Sequence, residues 1–428
     1  MSDGVSRPFV RSFARDSVSR EEREPNAAMV PPMVPARRGR RGYAGSMRLS
    51  LSPREAGALA RSLRRRGPTL AALAEMAAHR FGSRTALVVG EATWSFEDLW
   101  GDAERLAAQW HREVLERPRT IVAACDGAPL VLAVLAAGRL GLDAWLANPR
   151  RIAALDGVAP RDALLVHPGD APSWHAGPTV AASDVLSSAR VPQPRIAGTR
   201  RVGRLVLMTA GTTGAPTPHV TKPFGVRGMR QLEGLHRRVG IASTDTVLGC
   251  APLHHGHGVQ LLAATLLTGA TLVSSPGTRA STRLRLMGER GVTVVSGVPT
   301  QLERLVAQVE DSGAAPPTLR RIVSGSEPLD AALVARLHAA WGPVVMNAYG
   351  TTETGTVAVA TPDDVERHPD AVGRALPGTQ MGIVGHPQGS DAEGRVWLHG
   401  AGRTVITDDA GRIVDGSLTL LGRLDPRE

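Results

Sequence analysis

Two stretches of this 428-residue chain carry the residue types that phosphate chemistry uses. The first is TAGTTGAPTPHVTK at 209–222, which follows the apolar run RLVLMTA. A strand that empties into a glycine- and threonine-rich turn presents backbone N–H groups and hydroxyls to an anion. Gly211 and Gly214 permit close backbone approach, and Thr209, Thr212 and Thr213 add hydroxyl donors. The spacing is not that of a GxxxxGK loop, and an ordinary turn fits the stretch as well. Lys222, at its end, is the only lysine in the chain. The second stretch is NAYGTTET at 347–354. Tyr349 offers a planar ring to a nucleobase. Thr352 beside Glu353 suits a phosphate oxygen and a Mg²⁺ ion, which favours one or two carboxylates plus phosphates. A strand-end turn with a surface glutamate is the plainer alternative.

Three further stretches hold chemistry of a weaker kind. SGSEPL at 324–329 has small residues that suit a flat ring, and equally suits a helix N-terminus with Ser326 near the cap. PLHHGHG at 252–258 places His254, His255 and His257 within four positions. No carboxylate or cysteine follows closely, so a pocket wall is favoured over a metal site. The His pair also resembles the base of His-dependent acyltransferases, without the Asp-Gly that accompanies it there. ITDDAGRIVDGSLTLLGRLD at 406–425 reads as a hairpin turning at Asp415-Gly416. Its Asp409 can accept from both hydroxyls of a ribose.

The elements that must position these residues follow from periodicity. PTLAALAEMAAHRFG has helical apolar spacing, RTALVVG reads as a strand, and Ser95 with Asp98 marks a helix start. RTIVAACDG at 119–127 is a strand and PLVLAVLAAGRLG a helix. The stretch 168–203, rich in Pro, Ser and Gly, reads as a long connection. DTVLGCAPL, ATLVSS, VTVVSG and RRIVSGS continue the strands. Short apolar strands alternating with helices predict wound α/β layers. Beyond about 370, TQMGIVG, GRVWLHG and SLTLLG predict a small β-rich part.

Composition narrows the function classes. The chain is 42% hydrophobic, enough for a sizeable core. Its net charge is +10, but residues 1–66 hold fifteen Arg against six Asp or Glu, and the rest is close to neutral. That places the basic character in a terminal segment, so no nucleic-acid groove is expected. Residues 1–46 lack apolar periodicity and read as a disordered, Arg-rich tail. Two distant cysteines, Cys125 and Cys250, suggest neither a zinc site nor a disulfide scaffold and fit a cytoplasmic setting. The longest apolar stretch, near 129–147, is broken by Arg139 and Asp143 and falls short of a membrane span of about 20 apolar residues. No secretory signal is visible.

Taken in order, the glycine/threonine loop, PLxHxxG, SGxxPL, YGxTE and the Asp-containing hairpin ending in GRxD resemble the adenylate-forming superfamily. That superfamily comprises the acyl-CoA synthetases and their relatives. The resemblance spans about 67–428, with the loop similar to TSGTTGxPKG. It implies the large N-terminal domain of such enzymes. That domain has two wound α/β subdomains, here at about 67–369, and a small β-rich subdomain, here at about 370–422. It also implies ATP-dependent activation of a carboxylic acid, fatty or aryl, to an acyl-adenylate, with release of pyrophosphate. The acyl group then passes to a thiol of coenzyme A or of a phosphopantetheine carrier protein. Carried over residue by residue, Thr209, Gly211, Thr212, Thr213 and Gly214 would wrap the ATP phosphates. Ser326, Glu327 and Asn347 would border adenine, and Tyr349 in the Tyr349-Gly350-Thr351 run would stack on it. Thr352 would meet the α-phosphate, Glu353 the Mg²⁺, and Asp409 and Arg423 the ribose. His255 would line the acid pocket, and the lack of a nearby aspartate favours an acid without an α-amine.

Two departures qualify the resemblance. Thr217 stands at the loop's lysine position, and Lys222, five residues on, is either a substitute charge that reaches back to the phosphates or an ordinary surface residue. The chain also stops at GRLDPRE, where the family hinges at Asp425 and a C-terminal lid domain is expected. A separate chain supplying that domain is one expected partner. A non-catalytic adenylate- or acyl-binding protein of the same fold is the alternative, with a His-dependent acyltransferase as a third reading.

Overall fold

The structure is a computed structural model describing residues 53–113, 119–194, 196, 199, 201–210, 216–221, 226–313 and 319–424. The Arg-rich tail lies outside the described residues. The chain begins with α1 (Pro53–Arg66), α2 (Leu70–Phe81), β1 (Thr85–Val89), β2 (Ala92–Ser95) and α3 (Phe96–Glu113). Next come β3 (Thr120–Ala123), α4 (Gly127–Leu140), β4 (Asp143–Leu146), β5 (Leu164–His167), β6 (Thr179–Ala181), α5 (Ala182–Ser188), β7 (Leu205–Ala210) and β8 (Pro216–Thr221). Then follow α6 (Val226–Val239), β9 (Thr246–Gly249), α7 (Gly256–Thr268), β10 (Thr271–Ser274), α8 (Ala280–Glu289), β11 (Val294–Gly297) and α9 (Pro299–Ser312). After these are β12 (Arg321–Gly325), α10 (Ala331–Trp341), β13 (Val345–Thr351), β14 (Gly355–Ala360) and α11 (Pro362–Arg367). The described chain closes with β15 (Ala371–Ala375), β16 (Gln380–Ile383), β17 (Ala392–Gly400), β18 (Arg403–Val414) and β19 (Ser417–Arg423).

Two sheets result. One has the order β6-β5-β3-β4-β7-β8, parallel except for the antiparallel edge strand β8. The other has the order β16-β17-β18-β19-β15-β14-β13-β12-β11-β9-β10-β1-β2, with a parallel run from β1 to β13. The parallel strands are buried on both faces, which is why their sequences read as continuous apolar runs instead of alternating ones. Val247, Leu248, Val294, Val295 and Ile322 are fully covered. Helices are set by their caps. Thr69 accepts from Ala72 N at the start of α2, and the Ser95 hydroxyl donates to Asp98 at 2.6 Å at the start of α3. Asp126 opens α4 by accepting from Gly127 N.

The wound α/β layers and the β-rich C-terminal part agree with the sequence, with three differences in detail. The connection 168–203 contains β6 and α5, whose short apolar segments carry too few residues to show a period. ATWS forms β2 ahead of the helix, because it pairs with β1. Ser326 is not a helix cap; α10 starts later, where the Asp330 carboxylate accepts from Leu333 N at 2.8 Å. The β-rich part has its own small core around Val357, Met381, Val396 and Leu418. It is still hydrogen-bonded to the parallel sheet, through β14 pairing with β15. Its last hairpin turns at Asp415 (φ 50°) and Gly416 (φ 72°), two left-handed residues as a type I′ turn requires. Among the described residues no helix is long and apolar enough to cross a membrane.

Candidate functional site

In open α/β sheets, ligands bind beyond the carboxyl ends of the parallel strands. Here those ends, from β9, β11, β12 and β13, line one cleft of about 1680 Å³ together with β8, α6, α7 and the 401–409 stretch. Into this cleft the fold brings His255, Ser326, Glu327, Asn347, Tyr349, Gly350, Thr351, Thr352, Glu353, Asp409 and Arg423.

Glu353 sits on a turn that many bonds hold. Thr351 N donates to the Thr354 hydroxyl, and Thr354 N donates back to the Thr351 hydroxyl. Gln231, buried on α6, donates to Thr354 O and Thr356 O, both at 2.8 Å, and accepts from Ala401 N at 2.9 Å. The Thr356 hydroxyl donates to Gln260 at 2.6 Å. Gly350 is required here, since a Cβ would lie 2.0 Å from Gly355 O across the β13–β14 pair. The carboxylate of Glu353 therefore projects into the cleft from a fixed frame. Its Oε1 lies 3.3 Å from His219 Nδ1. Gln231, Gln260 and His219 were not singled out by the sequence. Nothing local marks the two glutamines, which face the turn only because α6 and α7 pack over it.

Across the cleft, the Tyr349 hydroxyl donates to Asp409 Oδ2 at 2.6 Å. Burial and this bond push the Tyr349 phenol well above its ordinary range, so it remains a donor. Asp409 pairs in register with Arg423, whose Nε lies 3.5 Å from Asp409 Oδ1. The hairpin thus brings together the acid and guanidinium that the sequence placed fourteen positions apart.

Three residues expected at adenine have protein partners as well. Asn347 is buried and its amide donates to Ala371 O at 3.1 Å, tying β13 to β15. Glu327 accepts from Thr300 N and its hydroxyl, at 3.1 and 2.7 Å, and so caps α9. Ser326 holds a left-handed φ of 70°, unusual outside glycine. A non-glycine in that region costs about 1–3 kcal/mol and clusters at ligand sites.

The three histidines diverge. His257 Nε2 lies 2.8 Å from the Ser296 hydroxyl, and burial pushes its pKa down. His255 lines the cleft. Water reaches its exposed face, while protein surrounds the ring at longer range. Burial first, then the neighbouring His254, push it down to about 4, with Asp126 opposing, so it is neutral near pH 7. His254 is buried, with Nδ1 3.3 Å from Asp126 Oδ2. Among the described residues no group of three His, Cys, Asp or Glu side chains is placed to hold a metal ion.

Asp126 joins the two sheets beside His254. Its Oδ1 accepts from Gly127 N at 2.9 Å and from Leu253 N at 3.0 Å. Asp126→Ala removes a helix cap and strands a buried N–H. We expect it to destabilise this contact by about 2–3 kcal/mol. A lowered chemical-denaturation midpoint would show the loss, and an unchanged midpoint would show that Asp126 does not hold the sheets together.

The glycine loop is less fully placed. Thr209 lies on β7 opposite Thr217 on β8. Gly211, Thr212, Thr213, Gly214 and Lys222 lie outside the described residues, as does the expected hinge, Asp425. Thr217 is exposed and does not line the cleft, contrary to its expected place among the phosphate contacts. It lies near the start of edge strand β8, paired with Thr209 of β7, and is exposed there. His219, two residues further along, does line the cleft. That spacing puts both side chains on one face of a strand, but nothing local shows which of the two reaches the cleft.

Comparison with known proteins agrees with this fold. Residues 179–405, just over half of the chain, match the family described as AMP-binding enzyme. The chain is 27% identical over 319 residues to a medium/long-chain-fatty-acid–[acyl-carrier-protein] ligase, FadD10, of Mycobacterium tuberculosis. That alignment covers 68% of this chain and 58% of the relative, so the chain spans well under two thirds of that relative's length. In three dimensions it resembles o-succinylbenzoate CoA synthetase (MenE) of Bacillus subtilis, with a TM-score of 0.70 and 22% identity over 82% of this chain and 77% of that one. It also resembles the N-terminal domain of FACL13 of Mycobacterium tuberculosis, with a TM-score of 0.69 and 19% identity over 83% of this chain and all of that one.

Proposed function

The chain belongs to the AMP-binding enzyme family, and from that premise we propose that it activates a carboxylic acid with ATP to an acyl-adenylate, releasing pyrophosphate. One observation carries the reading. A single cleft joins the Thr352–Glu353 turn and the Tyr349–Asp409–Arg423 cluster to an aliphatic wall of Leu232, Leu235, Val239, Ile241 and Val259. The adenylation domain in this reading runs from about 67 to 425.

The roles follow from position. Asp409 and Arg423 hold the ribose, and Tyr349 stacks on adenine while its hydroxyl fixes Asp409. Ser326, Glu327 and Asn347 form the adenine wall mainly through backbone and ring-facing surface, since all three side chains already have partners within the protein. Thr352 donates to the α-phosphate. Glu353, held by the rigid turn and in no arginine ion pair among the described residues, fits a Mg²⁺ ion shared with phosphate oxygens. Bound there, Mg²⁺ would neutralise charge on the transferring group. The acid carboxylate attacks the α-phosphorus in line, the new C–O–P bond forms, and the bond to pyrophosphate breaks. The protein contributes position and electrostatic stabilisation more than covalent chemistry.

Neutral His255 suits an acid pocket, since it lines the carboxylate's path without adding a fixed cation. The aliphatic wall favours a fatty or aryl acid. A thiol of coenzyme A or of a carrier protein then takes the acyl group; the similarity to an acyl-carrier-protein ligase and to a CoA synthetase leaves both acceptors in view. ATP–pyrophosphate exchange by the purified chain with a panel of fatty, aryl and short acids tests the reading. Acid-dependent exchange is expected. Absent exchange with AMP binding retained would favour a non-catalytic adenylate-binding protein, a reading supported by Thr217 standing away from the cleft.

A further inference from the structure

The loop position that carries a lysine in the resembling pattern is Thr217, and its side chain stands outside the cleft. The cleft is not left without a nitrogen donor there. His219 lies on the same face of β8, half-buried, with Nδ1 3.3 Å from Glu353 Oε1. Its strand is held on both sides. The Thr221 hydroxyl donates to Leu205 O at 2.8 Å, and Arg403 donates to Val220 O at 3.3 Å. These bonds fix the ring's place against the Glu353 turn.

We propose that His219 replaces the missing loop lysine by donating a ring N–H to the ATP phosphates that leave as pyrophosphate. The inference rests on the acid-activating reading above. The argument is geometric. A ring within reach of the carboxylate next to Thr352 is also within reach of a phosphate placed against that pair. A neutral imidazole keeps one N–H donor, and a protonated one keeps two, so the role does not depend on its charge. In the free protein the ring rests against Glu353. With Mg²⁺ and ATP present, Glu353 is engaged and the ring N–H turns to phosphate oxygen. A half-exposed His–Glu pair contributes little to stability, so a purely structural role predicts almost no effect on ligand binding.

The test is equilibrium binding of ATP and of AMP, each with Mg²⁺, by isothermal calorimetry on the whole chain. His219→Ala is expected to weaken ATP about 10-fold, the scale of one hydrogen bond to a charged group, and to leave AMP within about 2-fold. His219→Lys is expected to restore ATP affinity, and circular dichroism of both variants confirms folding. ATP affinity unchanged in His219→Ala would overturn the proposal. Equal losses for ATP and AMP would overturn it too, because they would mark a general distortion of the site. AMP binding by the parent chain reports separately on the nucleotide reading; if neither nucleotide binds the parent, both readings fall.

Discussion

Glu353→Gln is expected to lower acid-dependent ATP–pyrophosphate exchange by about 100-fold or more, the scale on which removal of one transition-state electrostatic contact slows an enzyme. The substitution is nearly isosteric and exposes the role of charge. The turn that carries Glu353 is held by Thr351, Thr354 and Gln231, none of which bonds to its carboxylate. The backbone should therefore stay in place. What disappears is the anionic oxygen that fits Mg²⁺ beside Thr352. The charge of the pair with His219 is lost as well, but the pair is partly exposed and contributes little to folding. AMP binding without Mg²⁺ is expected to stay within about 3-fold, because the amide keeps the shape and a half-exposed charge is well screened. Exchange assayed across a Mg²⁺ titration decides the matter. A variant with undiminished exchange would remove Glu353 from the catalytic site.

Asp409→Ala is expected to weaken AMP binding by about 100-fold, the equivalent of about 3 kcal/mol. Two effects add. The ribose loses its carboxylate acceptor, and the Tyr349 hydroxyl loses the bond that it makes at 2.6 Å. Burial already holds that phenol in its neutral form, so removing Asp409 strands a buried donor and does not ionise it. Tyr349→Phe separates the contributions, since it keeps the ring and deletes the hydroxyl. If Asp409 acts only by fixing Tyr349, the two single variants will match and the double variant will add nothing. If Asp409 touches the ribose, its variant will lose much more than Tyr349→Phe. AMP affinity unchanged in Asp409→Ala would move the ribose site elsewhere.

Much of the fold was legible because local patterns suffice for it. The parallel strands are short apolar runs between helical segments, and that alternation implies wound layers whatever the strand order. Asp415-Gly416 announced its turn because a two-residue hairpin needs two left-handed residues. Segments too short to show a period, such as those forming β6 and α5, gave no such sign.

The candidate site divides in the same way. The residues proposed for the chemistry, Tyr349 to Glu353 and the hairpin pair Asp409 and Arg423, are near neighbours in the chain or across one hairpin. Their types and spacing therefore carried the information. The positioning contacts are of another kind. Gln231 reaches Thr354 across 123 residues, and Asp126 reaches Leu253 across 127. The Glu327 carboxylate is taken up by α9, Thr217 is exposed on an edge strand, and His219 meets Glu353 from the other sheet. No local pattern encodes such meetings, because side chains far apart in sequence are brought within bonding distance only by the order and packing of the two sheets. Residue types and spacing named the candidate groups; sheet order and packing set which of them face the cleft and which are occupied in holding it.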